Sequence, residues 1–155
     1  MSISYGVNEQ DVPRAHAQRI CDMIGQLGTR GVSVIASSGD QGPGVSCLSN
    51  DGTNTTKFLP AFPASCPYVT SVGGTHGHGP EVAWNLSSGG FSEYWPRPAW
   101  QEMAVGEYLA RLGGRWKGLY NPRGRGFPDV SAQAMGYQIF DHGKVDNADG
   151  TRCVV

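Results

Sequence analysis

Val32-Ser33-Val34-Ile35-Ala36 runs directly into Ser37-Ser38-Gly39-Asp40-Gln41-Gly42, and the reading of this stretch decides the fold. A short continuous apolar run bounded by turn residues is the pattern of a strand buried on both faces of a parallel sheet. Upstream, Ile20, Met23, Ile24 and Leu27 recur at helical spacing behind Asp11-Val12-Pro13, an N-cap followed by an early-turn proline, and Gly28 and Gly31 flank the stop. The spacing predicts a helix over 11–27. Ahead of it, Ser2-Ile3-Ser4-Tyr5-Gly6 is a short alternating, β-prone run. Strand, helix and strand make a βαβ unit. Its right-handed crossover puts both strands in one sheet with their carboxyl ends on the same edge, where open α/β sheets bind ligands. Ser4-Tyr5-Gly6 and Ser37 to Gly42 both fall there.

Further out, residues 42–66 are rich in Gly, Ser, Asn, Thr and Pro and read as a long surface excursion. Cys47 and Cys66 bracket most of it. A disulfide between them would close a loop of about 20 residues and stabilise the fold by roughly 3 kcal/mol; two reduced thiols are the alternative. Tyr68-Val69-Thr70-Ser71-Val72 reads as a third buried strand ended by Gly73-Gly74, and a second helix is predicted over about 99–112, weakened by Gly106. Val130 and Tyr137 to Phe140 are short strand candidates, with His142-Gly143 as a turn. There is neither an internal repeat nor an interdomain linker, so 1–155 is read as one unit.

The chain has 155 residues, 39% of them hydrophobic and only 16% charged, with 23 glycines and a net charge of −1. No apolar run is long enough to span a bilayer, and no heptad is sustained. The near-neutral balance argues against a nucleic-acid binder, and the aromatic content against disorder. Nothing at the start has the charged and apolar regions of a signal peptide. Yet the sequons at Asn54 and Asn85 and the four cysteines point to a secretory setting. The two readings agree if the natural N-terminus lies further upstream.

The strong short motifs of nucleotide, zinc and hydrolase sites are absent. His76-Gly77-His78 could offer two imidazoles to a metal, but no third ligand stands at a fitting spacing, and a polar loop is the plainer reading. Arg115, Lys117, Arg123 and Arg125 with Trp116 and Tyr120 have the make-up of a small phosphate or nucleic-acid patch; the low net charge favours a solvated face. Asp40 differs from these. A carboxylate at the mouth of an α/β sheet is a candidate for chemistry, with a turn or cap as its ordinary alternative.

Neighbouring segments decide between these. Ser2 to Gly6, Ile35 to Gly42, Phe62 to Thr75, Ser88-Gly89-Gly90-Phe91-Ser92 and Phe127-Pro128-Asp129-Val130-Ser131-Ala132 resemble, in this order, the sedolisins or serine-carboxyl peptidases, especially the fungal tripeptidyl-peptidase-like members. The resemblance implies an incomplete subtilisin-like α/β fold, a mostly parallel sheet flanked by helices. It implies that Asp40 helps to form the oxyanion hole where subtilisins use Asn. A carboxylate cannot donate a hydrogen bond, so Asp40 would serve only when protonated, and a free Asp titrates at about 3.9. Acidic working conditions follow. The resemblance also makes Ser4, Tyr5 and Gly6 the strand that pairs with an extended peptide substrate, and Ser38 and Gly39 the lining of the first specificity pocket.

Two departures stand beside these matches. The family's general-base Glu and its orienting Asp would lie upstream of this chain, and its nucleophile Ser falls on Arg152 in Gly150-Thr151-Arg152-Cys153. Arginine has no nucleophilic oxygen and cannot form an acyl-enzyme, while Cys153 lacks a placed partner. The family's calcium site would lie beyond Val155. The expectation is therefore a partial catalytic domain, inactive alone, from a protein that is secreted or vacuolar/lysosomal and has extended peptides and its own propeptide as partners, with no nucleic acid and no membrane. A catalytically dead peptide-binding module, or the product of a truncated gene, is the alternative.

Overall fold

The structure, a computed structural model, describes residues 1–44 and 46–148. In chain order it contains β1 (Ser2–Ile3), β2 (Val7–Asn8), α1 (Arg14–Thr29), β3 (Ile35–Ser37), β4 (Ala61–Phe62), β5 (Thr70–His76), β6 (Val82–Ala83), β7 (Gly90–Pro96), α2 (Glu102–Leu112), β8 (Gly124–Phe127), β9 (Val130–Gln133), β10 (Tyr137–Asp141) and β11 (Lys144–Ala148). Strands β1, β3, β5 and β9 are parallel neighbours in one sheet, and β6 adds to β5 antiparallel. The βαβ unit is present, with β1 beside β3 in the register Ser2 to Ile35 and Ile3 to Ala36.

Helix α1 begins at Arg14, later than the sequence suggested, because the Asp11 carboxylate accepts from the side-chain amides of Asn8 and Asn50 and does not cap. Pro13 takes the cap position, and its carbonyl accepts the first turn's amides from His16 and Ala17. The helix stops through a two-bond closure at a left-handed glycine. Gly31, at φ +80°, donates to the Gly28 carbonyl and Val32 to that of Leu27. Because Val32 is used there, β3 starts only at Ile35.

Ala17, Cys21 and Ile24 form the inward stripe of α1 and pack on Val34, Ala36, Phe62, Cys66 and Val69. The disulfide joins Cys21 to Cys66, with Cα atoms 5.7 Å apart. This corrects the expected Cys47–Cys66 pairing. Among the described residues Cys47 has no disulfide partner, its thiol lying 3.4 Å from the Gly44 carbonyl oxygen. Cys21 sits on the helix face that the core buries, which brings it to Cys66 in the turn before β5.

The other face of the sheet is open. Paired residues share a face, so Ile35, Val72 and Val130 stand together opposite α1, with Ile35 43% and Val130 54% exposed. The run around Ile35 is thus covered on one side only, against the two-sided burial read from its pattern. Beside the sheet, β7 and β8 pair antiparallel, and α2 leans on them through Val105 and Tyr108 without burying any residue. Strands β10 and β11 form a hairpin across His142-Gly143, both at positive φ as such a two-residue turn requires.

Candidate active site

Strand β5 changes neighbours where its partner β3 ends. The Val72 carbonyl accepts from Ser38 N–H at 2.8 Å and the Gly74 carbonyl from Trp84 N–H at 2.9 Å. Alternate residues of a strand point their backbone groups to the same edge, so β3 and β6 occupy one edge of β5 in succession. The chain leaving β3 therefore turns out of the sheet beside a gap. Ser38, Gly39 and Asp40 line one side of a cleft of about 260 Å³ there, with Gly73, Gly74, Trp84 and Ala134 among its other walls. Asp40 is half-buried.

Two serines hold this turn in place. Ser88 Oγ accepts the Gln41 N–H at 3.1 Å while Ser88 N–H donates to the Gly39 carbonyl at 2.9 Å. Gly39 has φ +111°, and a Cβ there would lie 2.8 Å from Ser88 Oγ, so both conformation and space demand glycine. Ser87 Oγ accepts from Gly74 N–H at 2.9 Å and lies 3.3 Å from Ser38 Oγ. The sequence showed Ser88-Gly89-Gly90 as a motif without a role. Its role here is to fix the Asp40 turn from a segment nearly fifty residues away.

Ser4, Tyr5 and Gly6 leave β1 at the level where Ser37 ends β3, since Ile3 is level with Ala36. They are exposed, Tyr5 at 75%, and are not among the residues lining the Asp40 cleft. The segment is backed by Phe62: a Cβ on Gly6 would meet its carbonyl oxygen at 2.8 Å, and β2 pairs with β4 immediately after. A second, broader groove of about 930 Å³, lined largely by aromatic and apolar residues of β7 and α2, touches the Asp40 cleft at Ser87.

Other sequence candidates separate. Arg115, Lys117 and Arg123 are exposed, but Arg125 is only 2% exposed and belongs to neither a binding patch nor a solvated face. Its guanidinium donates to the Asp129 carboxylate at 2.5 Å and to the carbonyls of Gly126 at 2.8 Å and Val69 at 3.2 Å. Burial lowers its pKa from the usual guanidinium value, and Asp129 opposes that. His76 ends β5 and His78 is exposed; no group of three metal-ligating side chains occurs among the described residues. Arg152 and Cys153 lie outside the described residues.

Glu9, which the sequence left unremarked, is fully buried. Its carboxylate accepts from Ser92 Oγ at 2.5 Å, Glu93 N–H at 2.7 Å and Tyr94 N–H at 3.2 Å. Burial pushes its pKa above 4.5 in spite of these donors.

No protein-family model matches the chain. It is similar to a solved Pseudomonas sedolisin, a serine-carboxyl proteinase complexed with two molecules of pseudo-iodotyrostatin. The TM-score is 0.67 at 24% identity, covering 96% of this chain and 42% of that one. It is 54% identical over 151 residues to the probable tripeptidyl-peptidase SED2 of Arthroderma benhamiae, and 58% identical to the probable tripeptidyl-peptidase SED3 of the same fungus. Each match covers 97% of this chain, which spans about a quarter of the length of these curated relatives. Over 97% of its length the chain is thus highly similar to part of the fungal tripeptidyl-peptidases, and its fold matches that of a sedolisin.

Proposed function

We propose that this chain is the oxyanion and substrate-strand portion of an acid peptidase that removes short units from the amino ends of peptides. The observation that carries this reading is the 54–58% identity, across 97% of the chain, to proteins named tripeptidyl-peptidases. The site geometry supports it. Asp40 stands on a serine-braced turn at the carboxyl edge of parallel strands, in reach of an occupant of the cleft. When protonated it donates a hydrogen bond to the oxygen that becomes negative as a peptide carbonyl is attacked; when ionised it repels that oxygen. Ser4, Tyr5 and Gly6 offer exposed backbone at the neighbouring strand end, suited to pairing with an extended peptide, and Ser38 and Gly39 form the wall of the first side-chain pocket.

The chain does not supply an attacking group: Arg152 stands in the nucleophile's place and has no oxygen to attack with. It therefore binds peptides without cleaving them on its own, which is also what favours the second reading, a peptide-binding module without catalysis. The Cys21–Cys66 disulfide supports passage through an oxidising compartment, and hence a secreted or vacuolar/lysosomal protein with glycans at the exposed Asn54 and Asn85. Among the described residues no three His, Cys, Asp or Glu side chains come together to hold a metal ion.

The test is a chromogenic tripeptide assay of the purified chain at acidic pH, run beside titration with a blocked extended peptide. Binding without turnover is expected. Turnover would overturn the inactivity, and absence of binding would overturn the peptide reading.

A further inference from the structure

We propose that Glu9 is a positioning residue: its buried carboxyl locks the segment after Ser4–Gly6 onto strand β7 and sets the pH range in which that segment is held for an extended peptide. This rests on the peptide-binding reading of Ser4 to Gly6 given above. Two residues, Val7 and Asn8, separate Gly6 from Glu9, and every step between is anchored. Gly6 lies against the Phe62 carbonyl, Val7 and Asn8 pair with Phe62 and Ala61, and Glu9 N–H donates to the Pro60 carbonyl at 2.7 Å. The Glu9 side chain then carries the tie onward to a different sheet. It accepts from the Ser92 hydroxyl and from two successive backbone N–H groups of β7, 83 to 85 residues away.

The tie carries a charge that no cation among the described residues answers. On the same turn stands Asp11, committed to Asn8 and Asn50. From α1, Arg14 faces Tyr94, donating to its carbonyl at 2.9 Å with the guanidinium 5.6 Å over its ring. From β7 come Glu93 and Tyr94, whose hydroxyl donates to Val12, and Lys57 lines the surface hollow shared with them. Burial without a counter-charge favours the neutral acid, in the same direction as the raised pKa. In acid the buried carboxyl is neutral and the segment is seated. At higher pH the buried carboxylate keeps its three neutral donors but has no counter-charge to offset its lost hydration, and the seat loosens.

The experiment uses the 155-residue chain, its Glu9→Gln variant and an N-acetylated, C-amidated pentapeptide without ionisable side chains. Affinity of the wild type should weaken roughly five- to tenfold between acid and neutral pH, and that dependence should vanish in Glu9→Gln. If the variant does not fold, NMR titration of the Glu9 carboxyl in the wild type decides. Coupling is reciprocal, so peptide must raise its midpoint by the factor seen in affinity. Binding that is independent of pH, an unshifted midpoint, or a pH dependence that survives in Glu9→Gln overturns the proposal and leaves peptide binding standing. A wild type that binds no peptide at any pH overturns the peptide reading itself, and the proposal with it.

Discussion

Among the described residues, Arg125 and Glu9 are the two largest fully buried side chains, and they are kept in opposite ways. Arg125 has a carboxylate, Asp129, which also accepts the Ser71 N–H at 2.7 Å. Among the described residues Glu9 is met by neutral donors only. A guanidinium cannot shed its proton in water at any ordinary pH and so needs an opposite charge inside the protein, whereas a carboxyl can neutralise itself. The pair around Arg125 is therefore a fixed structural clamp between β8, the start of β9 and the base of β5. The Glu9 tie responds to acid.

Breaking the clamp should cost most. Arg125→Met leaves the Asp129 carboxylate with backbone and amide partners only, and unfolding in urea should show a loss of about 3–5 kcal/mol. Adding Asp129→Leu should recover much of it. A double variant as unstable as the single one would mean that the carbonyls of Val69 and Gly126, left without donors, dominate.

The Glu9 tie should show a smaller loss with a characteristic pH dependence. The folded carboxyl titrates above 4.5, so between that value and its folded pKa the native state holds a proton that the unfolded state has released. Its contribution is complete below about pH 4.5 and declines as pH rises through the folded pKa. Glu9→Gln should cost about 1 kcal/mol in acid and flatten the decline toward neutrality, read as unfolding midpoints from pH 4 to pH 7. A uniform loss at every pH would place Glu9 with Arg125 as a fixed support.

The smallest effect serves as the exposed counterpart. Asp51 accepts from the Thr53 hydroxyl and N–H and from the Ser49 hydroxyl, which lowers its pKa from 3.8 to about 2. Its contribution is present above about pH 4 and fades toward pH 2, opposite in sign to Glu9. Asp51→Asn should flatten the acid limb slightly and leave the neutral range unchanged.

These two regions also mark what could be read from the chain. Asp40 was legible because an apolar run feeding Ser-Ser-Gly-Asp specifies a strand and its exit, and strand exits are where such sheets bind ligands. Helix α1 was legible from its spacing, and the same spacing held the disulfide: Cys21 falls between Ala17 and Ile24 on the inward stripe. Bracketing a polar loop was the weaker signal, and it pointed to Cys47. Glu9 and Arg125 were not legible. A lone Glu after a strand and an Arg among glycines look solvated until partners 56 to 85 residues distant close over them. Ser87 and Ser88 were hidden for the same reason.

The role proposed for Asp40 is that of a proton-bearing donor to an oxyanion. Its most direct test compares a blocked peptide ending in a tetrahedral phosphonate anion with the neutral peptide amide of the same sequence, so that the Glu9 effect cancels in the ratio of affinities. As pH falls, wild type should gain on the phosphonate relative to the amide by about ten- to a hundredfold, the worth of a charged hydrogen bond, and Asp40→Asn should hold its affinity ratio constant. A ratio that does not change with pH in the wild type, or that changes identically in Asp40→Asn, would remove that role from Asp40.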